Sequence, residues 1–430
     1  MNPETIYEPK RRIVIVGGGF AGVRTALELV RQNANAEITL VDNKFHFEYH
    51  SSLYRVVTGG SVMEVCIPFD DIFKGKNVNV VEDTIDNVVP REKVVWGTSG
   101  SKYHYDYLIL ALGSEANYFG IPGLQEYAYS FKSTNDALKL RRHVEKLFSN
   151  LQHDTPIEEK ISSANIVIVG AGATGVEIAG QIVEFAKGLA KENHLDPSFV
   201  TIDLIEAQGR VLPLLHETAS TLVEARLREL GVNIFLNHVV EKDELEAIHM
   251  KTMSMDTRTV IWTAGVKAHS MYSHIEGAEC NRRGCVKVTE NFEIPNVPDV
   301  FIIGDGAEAQ WGGMAQTAER QGKHVAKILA ARILGKSERE IRYVPKEPAY
   351  AVPVGPNWAI VQWGRFTYHG ILGWMLRRAV DFKYFLSILP FAKAFEAFRQ
   401  GKIPCKLYDK EPLENMILSD KGTVVAEIKA

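Results

Sequence analysis

Cysteine is scarce in this sequence: Cys66, Cys280, Cys285 and Cys405 are the four in 430 residues. Their spacing makes no CxxC metal or redox motif, and they are too few for a disulfide framework. No metal site is therefore expected, and a reducing compartment is the simpler setting. Long apolar runs are missing as well, because nothing reaches the ~18 apolar residues that a membrane-spanning helix needs. Residues 1–10 are polar, carry two glutamates ahead of Arg11-Arg12 and lack an apolar stretch, so they read as neither a signal nor a transit peptide. Excess positive charge is also absent. With 49 Lys and Arg against 53 Asp and Glu, the net charge of −4 argues against a nucleic-acid partner, which would require concentrated cations.

What the sequence does have is the composition of an α/β protein, with 46% hydrophobic residues, 24% charged residues and 34 glycines. Its length exceeds the ~250–300 residues at which one core stops growing, so at least two domains are expected. Ile13-Val14-Ile15-Val16 is a short unbroken apolar run of the kind a buried parallel strand needs. It leads into Gly17-x-Gly19-x-x-Gly22, a helix over about residues 21–32 and a strand, Ile38-Thr39-Leu40-Val41, closed by Asp42. The chemistry of that spacing is specific. The first glycine allows a tight turn, the second lets backbone approach a pyrophosphate, the third packs helix on strand, and the acid can accept from a ribose. The helix N-terminus offers its N–H groups and dipole to the diphosphate.

The same grammar returns about 150 residues later at Ile166-Val167-Ile168-Val169, Gly170-x-Gly172-x-x-Gly175, a helix through Phe185 and a strand ending at Glu206. The 31 residues from Gly175 to Glu206 exceed the usual ~20, and polar residues 191–198 supply the surplus as a longer helix end or a loop. A carboxylate at Glu206 accepts from ribose hydroxyls and repels a 2′-phosphate, which favours NADH over NADPH, with Arg210 nearby tempering the preference. Two dinucleotide motifs in one chain suggest electron transfer between two bound cofactors. Gly304-Asp305, after an apolar strand, would put a carboxylate near a flavin's ribityl chain. The helix starting at Ala315 would present its positive end to reduced flavin. A helix-capping role for Asp305 is the alternative. Gly113 and Gly265, which follow the apolar runs at the two expected domain crossings, join the cofactor-binding set.

Beyond residue 345 the chain changes character. Residues 374–398 hold Trp374, Phe382, Tyr384, Phe385, Phe391, Phe395 and Phe398, interleaved with Arg377, Arg378, Lys383 and Lys393 at spacings of three and four. Pro390 is expected to divide two short helices. Such a segment can lie in a bilayer interface or form a core or a dimer interface.

These motifs resemble those of the two-dinucleotide-binding-domain flavoproteins, the glutathione-reductase-like superfamily, over residues 11 to about 335. Within it the chain is most similar to the type II NADH:quinone oxidoreductases. The likeness rests on Gly17-Gly18-Gly19-Phe20-Ala21-Gly22, the segment from Leu53 to Gly59, Gly170-Ala171-Gly172-Ala173-Thr174-Gly175-Val176-Glu177, Trp262-Thr263-Ala264-Gly265-Val266 and Ala315-Gln316-Thr317-Ala318. No cysteine occurs in residues 44–54, where disulfide reductases carry their pair, and none lies between Cys66 and Cys280, as a sulfide:quinone oxidoreductase would require. Direct hydride transfer from nicotinamide C4 to flavin N5 is therefore expected.

The resemblance implies an α/β fold of two Rossmann-like domains with a short C-terminal membrane-docking region. It places an FAD domain at 11–122 and 269–345, an NADH domain at 123–268 and a C-terminal region at 346–430. It implies FAD and NADH as cofactors, a quinone as electron acceptor and no proton pumping. The protein is expected as a peripheral one on the cytoplasmic face of the membrane, with a homodimer left open. Glu177 would sit near the nicotinamide–flavin junction, or else be a first-turn glutamate on the helix dipole. Gln316 would hydrogen-bond a quinone carbonyl, or else face solvent. The acceptor side departs from the family pattern at Ser51-Ser52, at Gly312-Gly313-Met314, and at Glu319-Arg320 ahead of Gln321. Two other functions share the cofactor motifs: a soluble NADH-dependent flavoprotein reductase of a protein acceptor or of oxygen, and a flavin-binding signalling protein.

Overall fold

The computed structural model describes residues 10–151 and 154–400. Residues 1–9, read above for targeting signals, and residues 401–430, which end the expected C-terminal region and include Cys405, lie outside them. The described chain gathers into two units. Residues 10–47, 68–115 and 266–348 form the first, and residues 48–67, 116–151, 154–265 and 349–400 form the second.

The first unit is built on a five-stranded parallel sheet in the order Val300–Ile302, Tyr107–Leu110, Arg11–Val16, Ala36–Asp42, Val78–Glu82. Ile13, Val14, Ile15 and Val16 of the central strand are all buried. A strand covered on both faces needs an apolar residue at every position, and this is why an unbroken run encodes it. Helices Phe20–Arg31 and Ala315–Ile333 pack on each other. Gly322 permits the approach, since a Cβ there would lie 2.6 Å from the Ala21 carbonyl oxygen. Arg24 and Glu319 pair across the same contact. A separate antiparallel sheet runs through Ile85–Val89, Val94–Gly97 and Lys102–His104.

The second unit repeats this plan. Its five-stranded parallel sheet has the order Tyr129–Ser130, Thr259–Trp262, Asn165–Val169, Thr201–Glu206, Val232–Leu236, again with the strand of the glycine motif at the centre. It too carries a three-stranded antiparallel sheet, Val240–Glu244, Ala247–Met250 and Met253–Asp256. The helix after the motif spans Ala173–Glu192, well past Phe185, because Ala186 and Ala190 continue its buried stripe and no proline intervenes. That helix and the turn Pro197–Phe199 account for the long gap before Glu206.

The last part of this unit is an antiparallel sheet of Tyr350–Pro353, Ala359–Trp363 and Phe366–Tyr368, followed by helices Gly370–Ile388 and Phe391–Gln400. Pro390 does separate the two helices, but the first is 19 residues long rather than short, with no proline before Pro390 to stop it. Gly373 seats it on the sheet, where a Cβ would meet the Ala359 carbonyl oxygen at 2.1 Å.

The Gly370–Ile388 helix is amphipathic in an inverted sense. Its buried stripe, Gly373, Arg377, Asp381, Phe385 and Ile388, is charged in the middle, whereas Ile371, Leu372, Met375, Val380 and Leu386 are exposed. Arg377 is thus not one of the surface cations that the sequence pattern suggested. Its partner Asp381 lies four residues along the same face, so the two neutralise each other inside the fold. Arg378 is turned inward as well, donating to the Phe398 carbonyl, which leaves Lys383 and Arg399 exposed. Among the described residues no helix is long and apolar enough to cross a membrane.

Candidate functional site: two glycine cradles and a buried charge cluster

In the first unit each glycine of the motif has a distinct steric reason. Gly17 has φ +103°, and a Cβ on it would lie 2.3 Å from the Ala111 carbonyl oxygen. A Cβ on Gly22 would lie 1.9 Å from the Gly17 carbonyl oxygen. The Cβ position of Gly19, by contrast, meets nothing within 4 Å. Gly19 is also the N-cap of its helix, and no side chain caps that end. The first-turn N–H groups are left with the open approach that a diphosphate needs. Asp42 closes the cradle, with Oδ2 accepting from the Gly18 N–H at 2.5 Å and Oδ1 from the Lys44 N–H at 2.9 Å.

The second unit reproduces this arrangement almost atom for atom. Gly170 has φ +105°, with a Cβ position 2.6 Å from Ala264 Cα; a Cβ on Gly175 would lie 1.8 Å from the Gly170 carbonyl oxygen. Gly172 again faces open space at an uncapped helix start. Glu206 accepts from the Ala171 N–H at 2.7 Å and the Gln208 N–H at 2.9 Å. Arg210 donates to the Pro213 carbonyl oxygen at 2.7 Å. Gly265 is packed rather than open, since its Cβ position falls 2.5 Å from the Phe119 ring.

The remaining expected residues of the first unit gather near its cradle. Gly304 (φ +75°) lies against Ala21, its Cβ position 3.5 Å from that of Ala21, and donates its N–H to Gln321 Oε1 at 2.6 Å. Asp305 accepts from the Ser114 hydroxyl at 2.6 Å, next to Gly113, whose Cβ position is open. Asp305 therefore does not cap a helix with its side chain. Ala315 opens an uncapped helix, and Gln316 behind it is half-buried. Both cradles, with their uncapped helix ends and open second glycines, fit a dinucleotide.

Glu177 lies on the Ala173–Glu192 helix beyond its first turn, which contains no acid, so the helix dipole is not what holds it. It is half-buried, and among the described residues its carboxyl makes no hydrogen bond. Burial pushes it up to about 8; Arg377 opposes this, Asp381 adds to it and Arg55 opposes it. Sequence reasoning missed this surrounding cluster. Arg377 pairs with Asp381 and donates to the Ser51 carbonyl oxygen at 2.8 Å. The Tyr49 hydroxyl donates to Asp381 at 2.5 Å, while its ring stacks on Tyr384, centroids 5.2 Å apart. The i,i+4 spacing of Arg377 and Asp381 was the one signal in the sequence, and it is equally common on solvated faces. Among the described residues no group of three or more His, Cys, Asp or Glu side chains could hold a metal ion.

Comparison with known proteins agrees with this geometry. Residues 11–322 match the family model of the pyridine nucleotide-disulphide oxidoreductases. A type II NADH:quinone oxidoreductase of Mycobacterium tuberculosis is 30% identical, covering 99% of this chain and 97% of its own. Another, from Staphylococcus haemolyticus, is 28% identical over 79% of this chain and 87% of its own. Among solved structures, NDH2 from Plasmodium falciparum in complex with NADH superposes with a TM-score of 0.81 at 18% identity, covering 91% of this chain and 98% of that one. The sulfide:quinone oxidoreductase of Aquifex aeolicus has the same fold, with a TM-score of 0.72 at 17% identity, covering 92% of this chain and 97% of its own. The chain belongs to the pyridine nucleotide-disulphide oxidoreductase family and, within it, to the type II NADH:quinone oxidoreductases.

Proposed function

We propose that this protein catalyses NADH + H⁺ + quinone → NAD⁺ + quinol without pumping protons, working at a membrane surface. The observation that carries the reading is the pair of matching cradles, one per unit, in a chain whose whole length aligns with a relative of that activity. Bound FAD would supply the redox chemistry, hydride acceptance from NADH and two-electron donation to the quinone. In this reading Gly17, Gly19, Gly22 and Asp42 hold FAD, with Asp305 and the start of the Ala315–Ile333 helix beside them. Gly170, Gly172, Gly175 and Glu206 hold NADH. Glu206 selects against a 2′-phosphate by its charge, and one N–H of Arg210 is taken by the Pro213 carbonyl.

Quinone reduction consumes protons as well as electrons. A carboxyl that is neutral near physiological pH can supply one, and burial puts Glu177 in that state. We assign Glu177 the proton-handling role and Gln316 a hydrogen bond to the quinone carbonyl. Docking to the cytoplasmic face of the membrane is assigned to the exposed Ile371, Leu372, Met375, Phe391 and Phe395, aided by Lys383 and Arg399.

An anaerobic titration tests the core of this reading. The purified protein should be yellow, bleach on NADH addition and recover its colour on addition of a short-chain quinone. Failure to hold flavin after reconstitution would overturn it. Recovery with ferredoxin or oxygen but not with quinone would favour the soluble reductase instead.

A further inference from the structure

The buried cluster around Glu177 contains more charge than a fold needs at that place. The Arg377 and Asp381 side chains are 6% and 2% exposed. A buried ion pair contributes little net stability over an apolar pair of the same shape, because both charges must leave water. Its position is also unusual. The two residues occupy the middle of the inward stripe of a helix whose outward face is apolar, so the polar and apolar faces are exchanged relative to an ordinary surface helix.

The surroundings define what the pair faces. Among the described residues, the charged groups directed at Glu177 are Arg377 and Asp381 from the Gly370–Ile388 helix and Arg55 from the Leu53–Val57 helix. Tyr54 faces Arg377 and Arg378, while Arg378 faces Arg55 and Asp381. Asp381 is fixed from two sides, by the Arg377 guanidinium and the Tyr49 hydroxyl, and Arg377 is fixed in turn by the Ser51 carbonyl. Tyr49 itself is clamped between Tyr384, at 5.2 Å, and Phe385, at 4.9 Å between ring centroids.

We propose that Asp381 is a positioning residue of the reaction: by compensating Arg377 and anchoring Tyr49 it sets the charge that faces Glu177, the carboxyl assigned above to proton handling. The alternative state is easily drawn. Without Asp381 the guanidinium would be a buried, uncompensated cation, and the acid left facing it would be Glu177. An ionised Glu177 locked against Arg377 could no longer deliver a proton. Because Asp381 and Arg377 sit on the helix whose other face is exposed and apolar, the seating of that helix and the proton state of Glu177 are joined through one rigid element. The inference rests on the proton-handling role assigned above to Glu177.

The test is the pH profile of quinone-dependent NADH oxidation by the holoenzyme. Asp381→Asn keeps an acceptor for Tyr49 while removing the charge. It should move the alkaline limb of kcat to lower pH by about one to three pH units, the usual effect of an uncompensated neighbouring cation on a carboxyl. The double variant Arg377→Gln/Asp381→Asn, neutral again, should return the limb towards its original place. Tyr49→Phe, which leaves both charges, should move it less than Asp381→Asn does. Flavin content and thermal melting of each variant confirm that it folds. An unmoved limb in a folded Asp381→Asn enzyme overturns the proposal, as does a double variant that keeps the full displacement, since a merely structural role would not be undone by removing a second charge. A wild-type protein that reduces no quinone at all refutes the proposed function instead, and the two failures are told apart by that control.

Discussion

At the residue scale, burial raises two carboxyls, and each matters in a different way. Glu177 is pushed up to about 8, so its acid form dominates at neutral pH and is lost as pH rises through that value. If the acid form serves the reaction, kcat should fall on the alkaline side, and Glu177→Gln should remove that limb while lowering kcat by about 10²-fold, the size of a typical general-acid contribution. A Glu177→Gln enzyme that keeps the wild-type profile would exclude the role. Asp243 is instead a matter of stability. It is 1% exposed, neither side-chain oxygen makes a well-formed hydrogen bond, and burial pushes it up to about 7 against weaker opposition from the Glu244 N–H and His249. Its folded value lies above its unfolded one, so its contribution to stability is fully present below the unfolded value and is lost as pH rises through about 7. Asp243→Asn should therefore melt higher than wild type at pH 8, by something on the order of 1–2 kcal/mol once the amide's own burial is counted, and the gap should close towards pH 5. A gap that is independent of pH would show that the charge is not the cause.

At the scale of elements, legibility followed the range of the interactions. The two parallel strands with their glycine turns could be read because every determinant lies within a few residues: an unbroken apolar run, a turn that only glycine can make, an acid at the end of the next strand. Asp42 and Glu206 bond to the turns of their own motifs, so their roles were readable too. The cluster at Glu177 could not be read. Tyr49 and Asp381 are 332 positions apart, and nothing in either local sequence announces the other. The C-terminal helix was legible as amphipathic but not in its orientation, because the counting of cations assumed that Arg377 and Arg378 face outward. The structure also changes which experiment can probe membrane docking. Truncation from residue 372 would remove Phe385, Ile388 and the Arg377–Asp381 pair from the interior of the second unit, confounding docking with unfolding. Surface substitutions avoid this. Ile371→Glu, Leu372→Glu and Met375→Glu together should abolish co-sedimentation with anionic vesicles, since each exposed apolar side chain is worth up to ~1.5–3 kcal/mol on insertion, while flavin content and melting stay unchanged. Undiminished sedimentation would assign this face to another partner.

At the scale of the whole molecule, the duplicated plan makes the two cofactor sites separately addressable. Gly22 and Gly175 are poor handles, because a Cβ at either would meet backbone within 2 Å and disturb the fold as well as the ligand. Gly19 and Gly172 are better. Both have φ values ordinary for any residue, −77° and −70°, and their Cβ positions are open, so alanine fits the protein itself. What alanine does not fit is a pyrophosphate lying against that backbone, where the added methyl would occupy the path of approach. Gly19→Ala should leave the melting of the flavin-free protein unchanged and reduce FAD retention. Gly172→Ala should retain FAD with its full yellow colour, yet raise the KM for NADH by about tenfold or more, as a displaced phosphate contact would. The pair forms a crossed test: if Gly172→Ala lost flavin and Gly19→Ala weakened NADH, the assignment of cofactors to units would have to be exchanged, whatever the overall reaction proved to be.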